Sequence, residues 1–204
     1  MENAPNLSTP SWSSSGGSGL LIMLDLDTPY DNTRVSSLHW LVTDVTLANN
    51  VVSPTAQNPG QLNKPSSRVS YQMPEPPIGD VAHTYAFYLF APTPASFTIP
   101  SSYSKLADSR TPFNLTRFLA DCGLDQQSVV ARNDFRVRNL AGTPTGSFPP
   151  PRASKTVLAL SSAAAPSQTG AVSQGVSTNL GVVGQGILGS MAAVLTVFSA
   201  FIIV

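Results

Sequence analysis

The chain has 204 residues, enough for one domain of ordinary size and a tail of several tens of residues. Eleven Lys and Arg balance eleven Asp and Glu, and no basic run reaches three residues, which argues against a nucleic-acid footprint. A single cysteine, Cys122, excludes an internal disulfide framework and a Cys-rich zinc site, and reads as a small buried apolar residue.

Charged residues form only 11% of the chain, and none follows Lys155, so the molecule divides into physically different parts. Residues 1–140 carry the apolar bulk and are expected to fold as a β-rich α+β domain. "LLIMLDLD" (20–27) is an apolar run short enough for a buried central strand, with Asp25 and Asp27 on one face at its end and Pro29 turning the chain away. "LHWLVTDVTL" (38–47) alternates Leu38, Trp40 and Val42 against His39, Leu41 and Thr43, and "HTYAFYLFAP" (83–92) is an aromatic-rich strand. Between them, residues 51–80 are so rich in Pro, Asn, Gly and Ser that they read as loop.

One helix is signposted. Thr111 is placed to cap it and Pro112 suits its first turn, while Leu115, Phe118, Leu119 and Cys122 form an apolar stripe that Gly123 ends. "SVVARNDFRVRN" (128–139) reads as a closing strand whose Arg132, Arg136 and Arg138 share one parity, the pattern of a solvated sheet face.

Residues 141–186 have too little apolar bulk to offset the entropy of ordering and read as a flexible stalk. Residues 187–204 follow as an apolar segment without a basic flank, expected as a hydrophobic helix. Small residues, a polar spacer and a terminal apolar tail match a glycolipid-anchor signal, with Ser173, Ser177 and Asn179 as candidate attachment positions. A tail-anchored helix and a buried core helix are the alternatives. An anchor implies the secretory pathway and the cell surface, yet residues 1–17 have neither a charged start nor an apolar core of a signal peptide. Asn6 and Asn114 each begin an N-glycosylation acceptor sequence, compatible with secretion.

The only two histidines, His39 and His83, stand at the starts of apolar strands, and Tyr85 shares a strand face with His83. Two imidazoles, a phenol and a carboxylate converging on one pocket would suit a small anionic or zwitterionic headgroup, with an Asp favouring a protonated imidazole. Each residue also has an ordinary structural explanation: a satisfied buried histidine, a turn aspartate, a core tyrosine. No H-E-x-x-H, G-x-S-x-G or phosphate-cradling glycine loop supports catalysis, and no cofactor is implied.

From Pro10 to Asn139 the chain resembles the phosphatidylethanolamine-binding protein family, which includes Raf kinase and carboxypeptidase Y inhibitors. The blocks are "TPSW", "MLDLDTPY" against D-P-D-x-P, "LHWLVTDV", and "PPIGDVAHTYAFYLF" against P-P-x-G-x-x-H-R-Y. The resemblance implies a β-rich fold with a large central sheet and one or two helices. It also implies a pocket for phosphate-like groups and phospholipid headgroups, with Asp25, Asp27, Pro29, His39, Pro77, His83 and Tyr85 at ligand-binding positions. Leu26 departs from the middle proline of D-P-D, and Thr84 from the arginine of H-R-Y. The family begins with strands ahead of "TPSW", so this chain is expected to lack the first of them and a natural start further upstream. Some members inhibit serine carboxypeptidases, the alternative function; a surface or wall protein without ligand is a further one.

Overall fold

The computed structural model describes residues 4–12, 17–48, 54–65, 67–90, 98–144, 146–152, 191–194 and 202–203. Two long strands form its centre, β2 (Gly19–Tyr30) and β3 (Thr33–Leu47), joined through Asp31 and Asn32 at φ 42° and 60°. Two left-handed residues make the tight turn whose twist matches the flanking strands, and Asx residues tolerate that conformation best after glycine. Strand β2 therefore runs past the expected turn at Pro29, which lies in the strand opposite Arg34. Beyond Asp25 it has only β3 beside it, an edge setting in which a proline is tolerated.

The remaining strands are β1 (Leu7–Thr9), β4 (Gly60–Asn63), β5 (Ser67–Val69), β6 (His83–Phe90), β7 (Val129–Asn139), β8 (Met191–Val194) and β9 (Ile202–Ile203). They form one antiparallel sheet in the order β8-β7-β6-β2-β3-β4-β1-β9, with β5 also pairing β3. Two short strands thus interrupt the expected 51–80 loop. The described parts of 187–204 are strands where a helix is expected, and no helix among the described residues is long and apolar enough to cross a membrane. Ser173, Ser177 and Asn179 lie outside the described residues.

Both sheet faces are covered. Leu20, Ile22, Leu24 and Leu26 project into one cluster with Tyr88, Phe90 and the helix α1 (Leu115–Asp121), while Leu21 and Met23 join Trp12, Trp40, Tyr85 and Phe87 in the other. Helix α1 starts three residues later than the proline suggests. Its N-cap is Asn114, whose Oδ1 accepts from Arg117 N–H at 3.0 Å, and Gly123 at φ 73° ends it. Phe118, Leu119 and Cys122 are buried as the stripe requires, and Arg136 and Arg138 are exposed.

The pairing of β2 with β3 slips twice around the future site. Trp40 faces Met23 while Leu38 faces Leu24, which leaves His39 as an extra residue. The alternation expected over 38–43 is broken there: Leu38 shares a cluster with Leu41, and Trp40 with Val42. A second slip between Asp25 and Thr28 sets Leu26 and Asp27 against one residue of β3. Such bulges bend a strand and re-aim its side chains.

Candidate ligand-binding site

A cavity of about 410 Å³ opens at these bulges, lined by Asp25, Pro29, His39, Pro77, His83 and Tyr85 among others. Six of the seven residues singled out in the sequence therefore meet at one place. Asp27 does not line it. The β2–β6 ladder ends at Asp25 opposite Tyr85, and the next amide on β6, Thr84 N–H, donates to Asp27 Oδ2 at 2.8 Å, so Asp27 closes the ladder. Leu26 is buried in the core cluster, and the aim of Asp25 is fixed around it by Asp27 N–H donating to Asp25 Oδ1 at 2.7 Å. A proline between them is not needed for that turn.

His83 is 1% exposed and both of its ring nitrogens meet carboxylates: Nδ1 lies 2.7 Å from Asp25 Oδ2 and Nε2 2.9 Å from Asp80 Oδ2. Burial disfavours its charge, but the two carboxylates outweigh this and raise its pKa above 6.5. An imidazole donating on both sides is an imidazolium. Asp80 is also buried, which opposes its ionisation, yet hydrogen bonds from Arg34 and His83 hold its carboxyl below the usual range. Arg34 grips Asp80 through Nη1 at 3.1 Å and Nη2 at 2.5 Å. A buried line of alternating charge results: Asp25, His83, Asp80, Arg34.

His39 Nδ1 lies 2.9 Å from the Gln72 carbonyl, which only accepts, so Nδ1 carries the proton. Burial is the largest influence on His39 and lowers its pKa, leaving a neutral ring packed edge-on against Tyr85 with centroids 5.1 Å apart. Burial and the neighbouring Asp25 carboxylate push the Tyr85 phenol far up, so it stays an O–H donor. Pro77 belongs to the turn that positions Asp80, whose N–H donates to Pro77 O at 3.2 Å.

Sequence reasoning missed several contributors, Asp80, Arg34 and Arg110 among them. Asp80 stands three residues before His83, a spacing that marks a candidate partner only once the loop is known to fold back. Arg34 follows the hairpin turn and looks like a solvated strand residue. Arg110 lines the cavity from a distant loop; Nη1 donates to Ser70 O at 3.0 Å and to His39 O at 3.3 Å, and Nη2 to Ser70 Oγ at 3.1 Å. Among the described residues no carboxylate lies within 4.0 Å of its guanidinium.

An antiparallel sheet with a polar cavity at its bulged strand ends defines a β-rich fold with a candidate binding site. The profile of the phosphatidylethanolamine-binding protein family matches residues 1–133, and the chain belongs to that family. It is 33% identical over 145 residues to the phomoidride biosynthesis cluster protein N of a fungal species (strain ATCC 74256), covering 67% of this chain and 61% of that one. The protein of the same description from Talaromyces stipitatus is 26% identical over 120 residues, 57% of each chain. This chain thus spans less than two thirds of the length of either curated relative. The crystal structure of carboxypeptidase Y inhibitor complexed with the cognate proteinase matches with a TM-score of 0.41 over 59% of each chain at 20% identity.

Proposed function

We propose that the cavity binds the phosphate-bearing headgroup of a phospholipid or of a small phosphate ester, and performs no reaction on it. The observation that carries this reading is Arg110. Arg110 is half-buried on the cavity wall and, among the described residues, its guanidinium meets only neutral acceptors, so its charge is available to an anion. The Tyr85 hydroxyl donates to Asp25 and so holds that carboxylate on the cavity wall. The carboxylates of Asp25 and Glu75, which also line the cavity, suit an ammonium on the same ligand. His83 contributes indirectly, because both of its nitrogens are engaged and its role is to hold Asp25.

Calorimetric titration with phosphorylethanolamine tests the reading. Saturable one-site binding is expected, weakened about tenfold or more in Arg110→Gln through loss of a charge-assisted contact. Absence of binding heat, or equal affinity in the variant, contradicts it. Display at the cell surface through the uncharged tail belongs to the same proposal, and is tested by release of the full chain from cells with a phosphatidylinositol-specific phospholipase C.

A further inference from the structure

Residues 139–144 and 146–152 lie along the domain, although their composition places most of them in the stalk. Asn139 Nδ2 donates to Pro76 O at 3.1 Å, and Pro144 packs on Gly79 so closely that a Cβ at Gly79 would stand 2.5 Å from the proline ring. The firmest attachment is Arg34. Besides Asp80, its guanidinium donates to Pro149 O from Nη2 at 2.6 Å and to Pro150 O from Nε at 3.0 Å. Nη1 also donates to Asp27 O at 2.7 Å, and with the side chain 1% exposed all five donors are spent in a site closed to water. The residue just before these carbonyls, Phe148, is half-buried and lines the same cavity as Asp25 and Tyr85.

Phe148 thus lines the cavity together with Pro29 and Pro77, so apolar as well as polar groups face it. The cavity volume of about 410 Å³ far exceeds that of a bare phosphate ion and falls in the range used for whole small ligands. A bare ion would leave those apolar groups facing water. We propose that Phe148, held in place by the Arg34 clamp on Pro149 and Pro150, is a specificity-determining wall that selects phosphate monoesters carrying an apolar substituent over inorganic phosphate. The inference rests on the headgroup reading above for its ligand, and on the strap alone for its geometry. The chemistry is shared by an intact lipid and a free ester.

The experiment has two arms on the full chain. In the first, wild type and Phe148→Ala are titrated with inorganic phosphate, phenyl phosphate and phosphorylethanolamine. Phenyl phosphate is expected to bind wild type about tenfold more tightly than inorganic phosphate, and Phe148→Ala to abolish most of that difference while leaving inorganic phosphate unchanged. Arg34→Lys, which keeps a cation beside Asp80 but loses the fork, is expected to act like Phe148→Ala on phenyl phosphate.

In the second arm, which needs no ligand, diethylpyrocarbonate modification of His39 is followed by mass spectrometry, with His83 as the enclosed control. Phe148→Ala is expected to speed His39 modification several-fold. If phosphate compounds fail to bind wild type while His39 becomes more reactive in the variant, the headgroup reading fails and the wall stands. If Phe148→Ala changes all three ligands equally or none of them, with His39 reactivity unaltered, the wall is overturned and the headgroup reading is untouched.

Discussion

Asp80 Oδ2 lies 2.9 Å from His83 Nε2, on the opposite side of the ring from Asp25, so the one histidine at the centre of the site has no nitrogen left for a ligand. The relationship turns His83 from a contact residue into a brace. It follows that the ring stays doubly protonated in neutral solution. Nitrogen-15 spectra of histidine-labelled protein at pH 7 are expected to show two protonated ring nitrogens for His83 and one for His39.

The two histidines also bend stability in opposite directions with pH. His83 has its pKa raised above 6.5, so its contribution is complete below that value and is lost as pH rises through the folded-state pKa. His39 has its pKa lowered from 6.5, so stability is lost as pH falls through its folded-state value. Urea unfolding across about pH 5 to 8 separates them. His39→Gln is expected to become less stable as pH rises, and His83→Gln less stable as pH falls; slopes of the same sign in both variants contradict the assignment.

Arg34 and Asp80 form a buried pair in which each side chain is 1% exposed. Removing Arg34 leaves a buried negative charge that His83 alone cannot balance against both Asp25 and Asp80, so Arg34→Ala is expected to cost about 3–5 kcal/mol in chemical denaturation. Adding Asp80→Asn to that variant should recover part of the loss, because two buried carboxylates then no longer share the single charge of His83.

Asn114 caps α1 through its side chain. Asn114→Ala is expected to lower stability by about 1 kcal/mol, while Thr111→Ala, at the position favoured by sequence, leaves α1 capped. Thermal unfolding of the two variants checks this. Thr111 does hold Ser37, its hydroxyl 2.6 Å from Ser37 Oγ, so any loss in that variant should appear without a change in helicity.

What the sequence made legible were the features encoded locally. The apolar run around Ile22, the stripe of Leu115, Phe118 and Leu119, and the chemistry of Asp25, His39, His83 and Tyr85 are each written within a few neighbouring residues. The bulge at His39 was not legible, because a period-2 pattern carries no mark for one inserted residue. Arg110 and Arg34 escaped for a different reason. Each acts across 40 or more positions, on Ser70, Asp80 and Pro149, and their partners are backbone carbonyls or a loop carboxylate that composition leaves unremarked. Phe148 was hidden by its setting, since a stretch rich in Pro, Gly and Ser reads as unfolded until Arg34 is seen to bind its carbonyls.

Cys122 is buried, and burial pushes its thiol up to about 11. Ellman's reagent is expected to react with it at neutral pH only on unfolding, so its labelling rate in native protein reports global or local opening. Prompt labelling of the native chain contradicts this.

The phosphate group proposed for the cavity is expected beside Arg110. A crystal structure of the full chain grown with phosphorylethanolamine measures this most directly. Phosphate oxygens within hydrogen-bond reach of the Arg110 guanidinium, with the ammonium toward Asp25 or Glu75, are the expected result. A ligand bound elsewhere with this cavity holding only water, at concentrations that saturate the protein in solution, rules out the cavity as the phosphate site.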